Sequence, residues 1–89
     1  MNIKLVTANK LLKGILNAIE KSDNLTGTTV DVTSKQYDEI VRNKKLYIEI
    51  LGMTDLEKVT GYKVTSIGAF TKNFPLFGTK VIVFFEKVN

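Results

Sequence analysis

Few residue types that could run a reaction occur in this chain. It has no cysteine and no histidine, which removes the thiol nucleophile, the imidazole base and the two commonest soft metal ligands together. Nine carboxylates remain, and some enzymes work with a carboxylate pair alone. No spacing here selects such a pair. Asp38 and Glu39 are adjacent on an expected helix, so they point in different directions. Asp55 and Glu57 flank an expected turn, and Asp31 and Glu49 fall within expected strands, facing solvent. A serine nucleophile would need a lysine base, and no S-x-x-K pattern supplies one. The segments Gly68-Ala69-Phe70-Thr71-Lys72 and Gly78-Thr79-Lys80 lack the spacing of a phosphate-cradling loop, and no G-x-G-x-x-G occurs. The residues therefore assign no catalytic, metal-binding or cofactor-binding position, and the expectation is a protein that is not an enzyme.

Two groups of residues suit binding instead. The segment Asn73-Phe74-Pro75-Leu76-Phe77-Gly78 places two phenylalanines and a leucine around the only proline, where a hairpin connection ordinarily carries polar turn residues. Phe74, Leu76 and Phe77 are candidate anchors for a protein partner, with Lys72 and Lys80 as a charged rim. The same residues would suit a tip that touches a membrane, or a loop that folds back to plug the end of the sheet.

The second group is basic. The formal net charge is +4, from twelve lysines and one arginine. Lysine is a mobile point charge suited to phosphates in general, whereas arginine supplies the fork that reads guanine. Lys10, Lys13, Asn17 and Lys21 share one face of an expected helix, and Arg42, Lys44 and Lys45 cluster near a second. Lys10, Lys13, Lys21, Arg42, Lys44 and Lys45 are thus an alternative, sequence-non-specific nucleic-acid surface. Tyr47 and Tyr62 are its candidate stacking platforms, with Tyr37 expected in the core. A further alternative is sequestration of a small anionic ligand or nucleotide by lysines and backbone amides, at no locatable place.

The elements that must position these groups are readable from periodicity. Ile3–Val6 is a short strand or the lead-in to a helix. From Ala8 to about Lys21, Leu11, Leu12, Ile15, Leu16, Ala18 and Ile19 recur at helical spacing. Thr7 is the expected N-cap and Ser22-Asp23-Asn24 the exit. Gly14 inside this helix costs about 1 kcal/mol against alanine and marks either a close approach by another element or a tolerated defect.

Thr28–Val32 alternates as a strand. Thr33-Ser34-Lys35-Gln36 carries a capping box opening a helix to about Asn43, with Tyr37, Ile40 and Val41 inward. Leu46–Leu51 alternates and predicts a strand ended by Gly52, and Thr54-Asp55-Leu56-Glu57 carries another capping box and suggests one helical turn. Tyr62–Phe70 and Thr79–Val88 form a hairpin joined by Thr71–Gly78. Val81-Ile82-Val83-Phe84-Phe85 is apolar on both faces, as in a strand covered on two sides or docked on another subunit. The expected fold class is α+β: a small two-layer sandwich, with an antiparallel or mixed sheet of four to five strands and two helices on one face.

Eighty-nine residues, 44% apolar and 25% charged, suit a single globular domain spanning 1–89. No apolar run reaches the length of a membrane span, and Asn9, Lys10 and Lys13 interrupt any leader-like segment. These features, with the lack of cysteine, predict a cytoplasmic location. Lysine, asparagine and isoleucine beside a single arginine suggest a viral (bacteriophage) or mobile-element accessory protein. The expected function is a small, basic, non-enzymatic binding protein, inhibitor-like, that acts by protein–protein interaction with a macromolecular partner. A homo-oligomer is expected through the doubly apolar strand.

Overall fold

The computed structural model describes residues 3–22 and 24–88. The elements run α1 (Ile3–Lys21), β1 (Gly27–Asp31), α2 (Ser34–Arg42), α3 (Lys44–Gly52), α4 (Leu56–Thr60), β2 (Tyr62–Phe74) and β3 (Gly78–Lys87). The class is α+β, with four helices and a three-stranded antiparallel sheet in the order β1-β3-β2. The one or two strands fewer than expected trace to two segments, Ile3–Val6 and Leu46–Leu51, and the two additional helices are α3, which takes up the second of these, and α4, over the expected single turn. Ile3–Val6 belongs to α1 and not to a strand. As a result Thr7 is no N-cap but a fully buried residue inside the helix. Of the expected exit from α1, Ser22 and Asn24 are as anticipated, Asn24 being left-handed at φ 59°, while Asp23 lies outside the described residues.

Leu46–Leu51 is the larger correction. It is helical, as part of α3, with Tyr47 and Leu51 buried at four-residue spacing and Ile48 and Ile50 packed partly against the core. A short run apolar at every position but one satisfies both periods. Flanking Lys44, Lys45 and Glu49 are good helix formers, and packing against α1 and β2 decides the outcome. Glu49 is consequently exposed on a helix, not on a strand.

The capping box is present in both directions: Gln36 N donates to Thr33 Oγ1 (3.1 Å) and Thr33 N donates to Gln36 Oε1 (2.9 Å). In α2 the fully inward residues are Gln36 and Ile40, with Tyr37 and Val41 only half-buried. Instead of a capping box, the Thr54 hydroxyl bridges the α3–α4 joint, donating to Leu51 O (2.6 Å) and accepting from Leu56 N (3.3 Å). Gly61, at φ 78°, ends α4 and turns the chain into β2.

One core unites these elements. Leu11 and Ile15 of α1, Ile40 of α2, Tyr47 and Leu51 of α3, and Val81, Val83 and Phe85 of β3 are its most buried members. Tyr62 meets Phe85 edge-on, with ring centroids 5.4 Å apart. Strand β3 is central and is covered on one face only: Val81, Val83 and Phe85 are buried, whereas Phe84 remains 39% exposed. No helix among the described residues is long and apolar enough to cross a membrane.

Candidate functional site

The β2–β3 hairpin reaches further than its sequence suggests. β2 runs through Lys72 and Asn73 to Phe74, which pairs with Gly78, so the connection shortens to Pro75-Leu76-Phe77. Phe77 N donates to Phe74 O (3.2 Å), which puts Pro75 at the second turn position, where its fixed φ fits. Gly78 follows at φ 70°, a conformation that side-chain-bearing residues rarely adopt.

The tip is exposed rather than folded back onto the sheet. Leu76 is 86% exposed, Phe77 53% and Phe74 49%. The two rings stack on each other, 5.5 Å between centroids at 28°. Phe70, on the same strand, is exposed as well. Three apolar side chains thus stand exposed at the end of a hairpin, two of them stacked on each other.

Polar contacts hold the base of this hairpin. Asn73, in the left-handed region at φ 54°, donates its N–H to Thr79 Oγ1 (2.9 Å). Its side-chain oxygen accepts from Thr79 Oγ1 (3.2 Å) and from Ser34 Oγ at the start of α2. Val32 N donates to Thr79 O (3.0 Å). Lys72 Nζ bonds Asp38 Oδ1 at 2.5 Å and lies 5.9 Å from the centre of the Tyr37 ring. Lys80 is paired with Asp31, its register partner on β1. The expected charged rim is therefore neutralised within the chain: both lysines face a carboxylate.

The alternative basic set is arranged differently. Lys10 donates to Gln36 Oε1 (3.1 Å) and so supports the cap of α2. Lys13, Lys21, Arg42 and Lys45 are exposed and Lys44 is half-buried. None of these five has a carboxylate partner among the described residues. Arg42, Lys44 and Lys45 surround Asn43, the single residue joining α2 to α3. The expected stacking platforms are absent from the surface: Tyr47 and Tyr62 are 0% and 4% exposed, and the tyrosine expected in the core, Tyr37, is the half-exposed one.

Two other features escape sequence reasoning. Leu12 and Leu16 of α1, with Leu56 and Val59 of α4, line an apolar groove of about 140 Å³. It depends on α4, a helix too short to announce itself by periodicity. A second groove, about 400 Å³ between α1 and β1, brings Lys21 and Asp31 together with Asn17, Thr28 and Thr29. With a single lysine opposite a carboxylate, it offers a small anion little.

Inside the protein, Glu39 Oε1 and Tyr47 Oη are buried without a hydrogen-bond partner of acceptable geometry among the described residues. Burial pushes the Tyr47 phenol above its ordinary pKa. The Glu39 carboxylate adds to that rise, and Thr7 opposes it. The remaining acids are spread out: Asp31 and Asp38 are tied to the hairpin lysines and Glu86 lies 3.7 Å from Lys63. Among the described residues no three His, Cys, Asp or Glu side chains are grouped as a metal site would need. No protein-family model, curated protein or solved structure matches the chain.

Proposed function

We propose that this chain is a non-enzymatic docking protein that inserts Phe74, Leu76 and Phe77 into an apolar pocket of a protein partner, masking or inhibiting it. The observation that carries this reading is the stacked, exposed Phe74–Phe77 pair on a hairpin whose base is fastened to α2. Aromatic side chains held in place before contact give up little conformational freedom on binding, and such anchors dominate interface energetics. Neutralisation of Lys72 and Lys80 by Asp38 and Asp31 favours a protein pocket over an anionic membrane, which would be attracted by unpaired cations.

The test is affinity capture from the source cell, followed by titration of the purified captured protein against the wild type and a Phe74→Ser/Phe77→Ser variant. The expected result is an affinity reduced at least about tenfold in the variant, with cooperative unfolding retained. Unchanged affinity overturns the reading. Binding to anionic vesicles, lost in the variant, would replace it with a membrane role.

A second reading has one observation in its favour: Lys13, Lys21, Arg42, Lys44 and Lys45 keep their charge uncompensated by any described carboxylate. Sequence-non-specific nucleic-acid binding through these residues and Lys10 predicts an affinity that falls steeply with salt, because each neutralised phosphate releases counterion. An affinity flat between low and moderate salt excludes it.

A further inference from the structure

The sheet presents its second face to solvent, and the charges on that face are laid out in a pattern. Along β3 the outward positions read Lys80, Ile82, Phe84, Glu86: a cation, two apolar side chains and an anion. Their register partners form rows across the sheet: Asp31–Lys80–Thr71, Thr29–Ile82–Gly68, Gly27–Phe84–Ser66 and Glu86–Lys63. The two middle rows carry no charge and little relief. Gly27 and Gly68 lie against Phe84 and Ile82, where a built Cβ would come within 3.2 Å of the Phe84 ring and 3.1 Å of Ile82 Cγ2. Each outer row holds one ion pair, Asp31–Lys80 or Glu86–Lys63.

We propose that this face binds a second copy of the same chain, sheet against sheet, about a twofold axis that runs perpendicular to the strands and passes over Val83. Such an axis exchanges positions 80 with 86 and 82 with 84. Ile82 then lies on Phe84 of the other copy, and Lys80 lies on Glu86 of the other copy. Each end of the interface becomes an alternating series: Asp31, Lys80, then Glu86 and Lys63 of the second copy. No like charges are opposed. A twofold axis parallel to the strands would instead set Lys80 on Lys80 and Glu86 on Glu86, so the charge pattern selects one of the two symmetric arrangements.

Face-to-face sheets pack about 10 Å apart, and this one measures about 14 by 23 Å from strand spacing and rise. That is below the ~800 Å² per partner of a standard interface. The dimer is accordingly weak and concentration-dependent. Assembly leaves the hairpin tip outside the interface and is independent of the docking reading.

Sedimentation velocity on the intact chain over a range of concentrations tests the proposal. A monomer–dimer equilibrium is expected in the wild type. Lys80→Glu or Glu86→Lys alone should weaken it about tenfold or more by opposing like charges, and the Lys80→Glu/Glu86→Lys double variant should restore it. Thermal melting of each variant confirms folding, and if Lys80→Glu does not fold beside Asp31, Glu86→Lys with Phe84→Ser carries the test. Phe74→Ser/Phe77→Ser should dimerise as the wild type does. A wild type that stays monomeric at the highest concentration overturns the proposal. A dimer indifferent to positions 80, 84 and 86, or one lost only with the tip variant, overturns it equally.

Discussion

Gly14 of α1 and Val30 of β1 are in direct contact: a Cβ built at position 14 would stand 2.8 Å from Val30 Cγ2 and 3.3 Å from Cγ1. Helix α1 lies this close to the sheet because position 14 has no side chain. Gly14→Ala gains about 1 kcal/mol of helix propensity and loses more by forcing α1 off β1, since overpacking costs about 1–3 kcal/mol. The expected outcome in urea is a lower midpoint for Gly14→Ala. Adding Val30→Ala, itself destabilising, should abolish the extra cost of the alanine at 14. A higher midpoint for the single variant would refute the contact.

Tyr47 and Glu39 set an alkaline limit on stability. The phenol holds its proton in the fold at pH values where the unfolded chain, with an ordinary pKa of about 10, has lost it. The folded state therefore binds more protons there than the unfolded state. The stability linked to Tyr47 is complete below about pH 10 and is lost as pH rises from there through the raised value. Tyr47→Phe removes a buried hydroxyl whose contacts with Thr7 and Glu39 fall short of well-formed hydrogen bonds, so near neutrality it should shift stability by less than about 1 kcal/mol. The melting temperature of Tyr47→Phe relative to the wild type should then rise as pH increases above about 10. A constant difference above that pH would show that the phenol titrates normally.

The cap of α2 supports more than a helix end. Gln36 Oε1 accepts from both Thr33 N and Lys10 Nζ, linking α1 to the start of α2. Thr33→Ala should cost about 1 kcal/mol, read from chemical denaturation. Gln36→Ala should cost more, because it leaves the Thr33 N–H without its partner and removes the link to Lys10.

Aromatic residues on the hairpin divide sharply by position. Phe74→Ser/Phe77→Ser should lower stability by less than about 1 kcal/mol, since the rings are about half exposed and stack mainly on each other. Phe85→Ala should cost about 3–5 kcal/mol, because Phe85 is 2% exposed and packed edge-on against Tyr62. Calorimetric melting separates the two cases. Comparable losses at both sites would mean that the tip is part of the core.

Local signals settled much of this protein. The α1 periodicity, the Thr33–Gln36 capping box, the β1 segment and the hairpin around Pro75 can all be read from neighbours a few residues apart, and the structure has each of them. The α+β class follows from those elements together. The identity of α3 does not, because an apolar run such as Leu46–Leu51 suits either period until the elements packed against it favour one.

The same holds for the binding groups. Phe74, Leu76 and Phe77 are conspicuous in the sequence, but their exposure depends on contacts that Asn73, Lys72 and Thr79 make with Ser34, Asp38 and Val32, far away in the chain. Pairing of Lys80 with Asp31 arises from a strand register that no local pattern encodes. The open face of β3 exists because all the helices pack on its other side. Short-range preferences act on residues a turn or two apart, whereas exposure, ion pairing and covered faces are set by residues that meet only when the chain folds, which is why only the tertiary structure decided them.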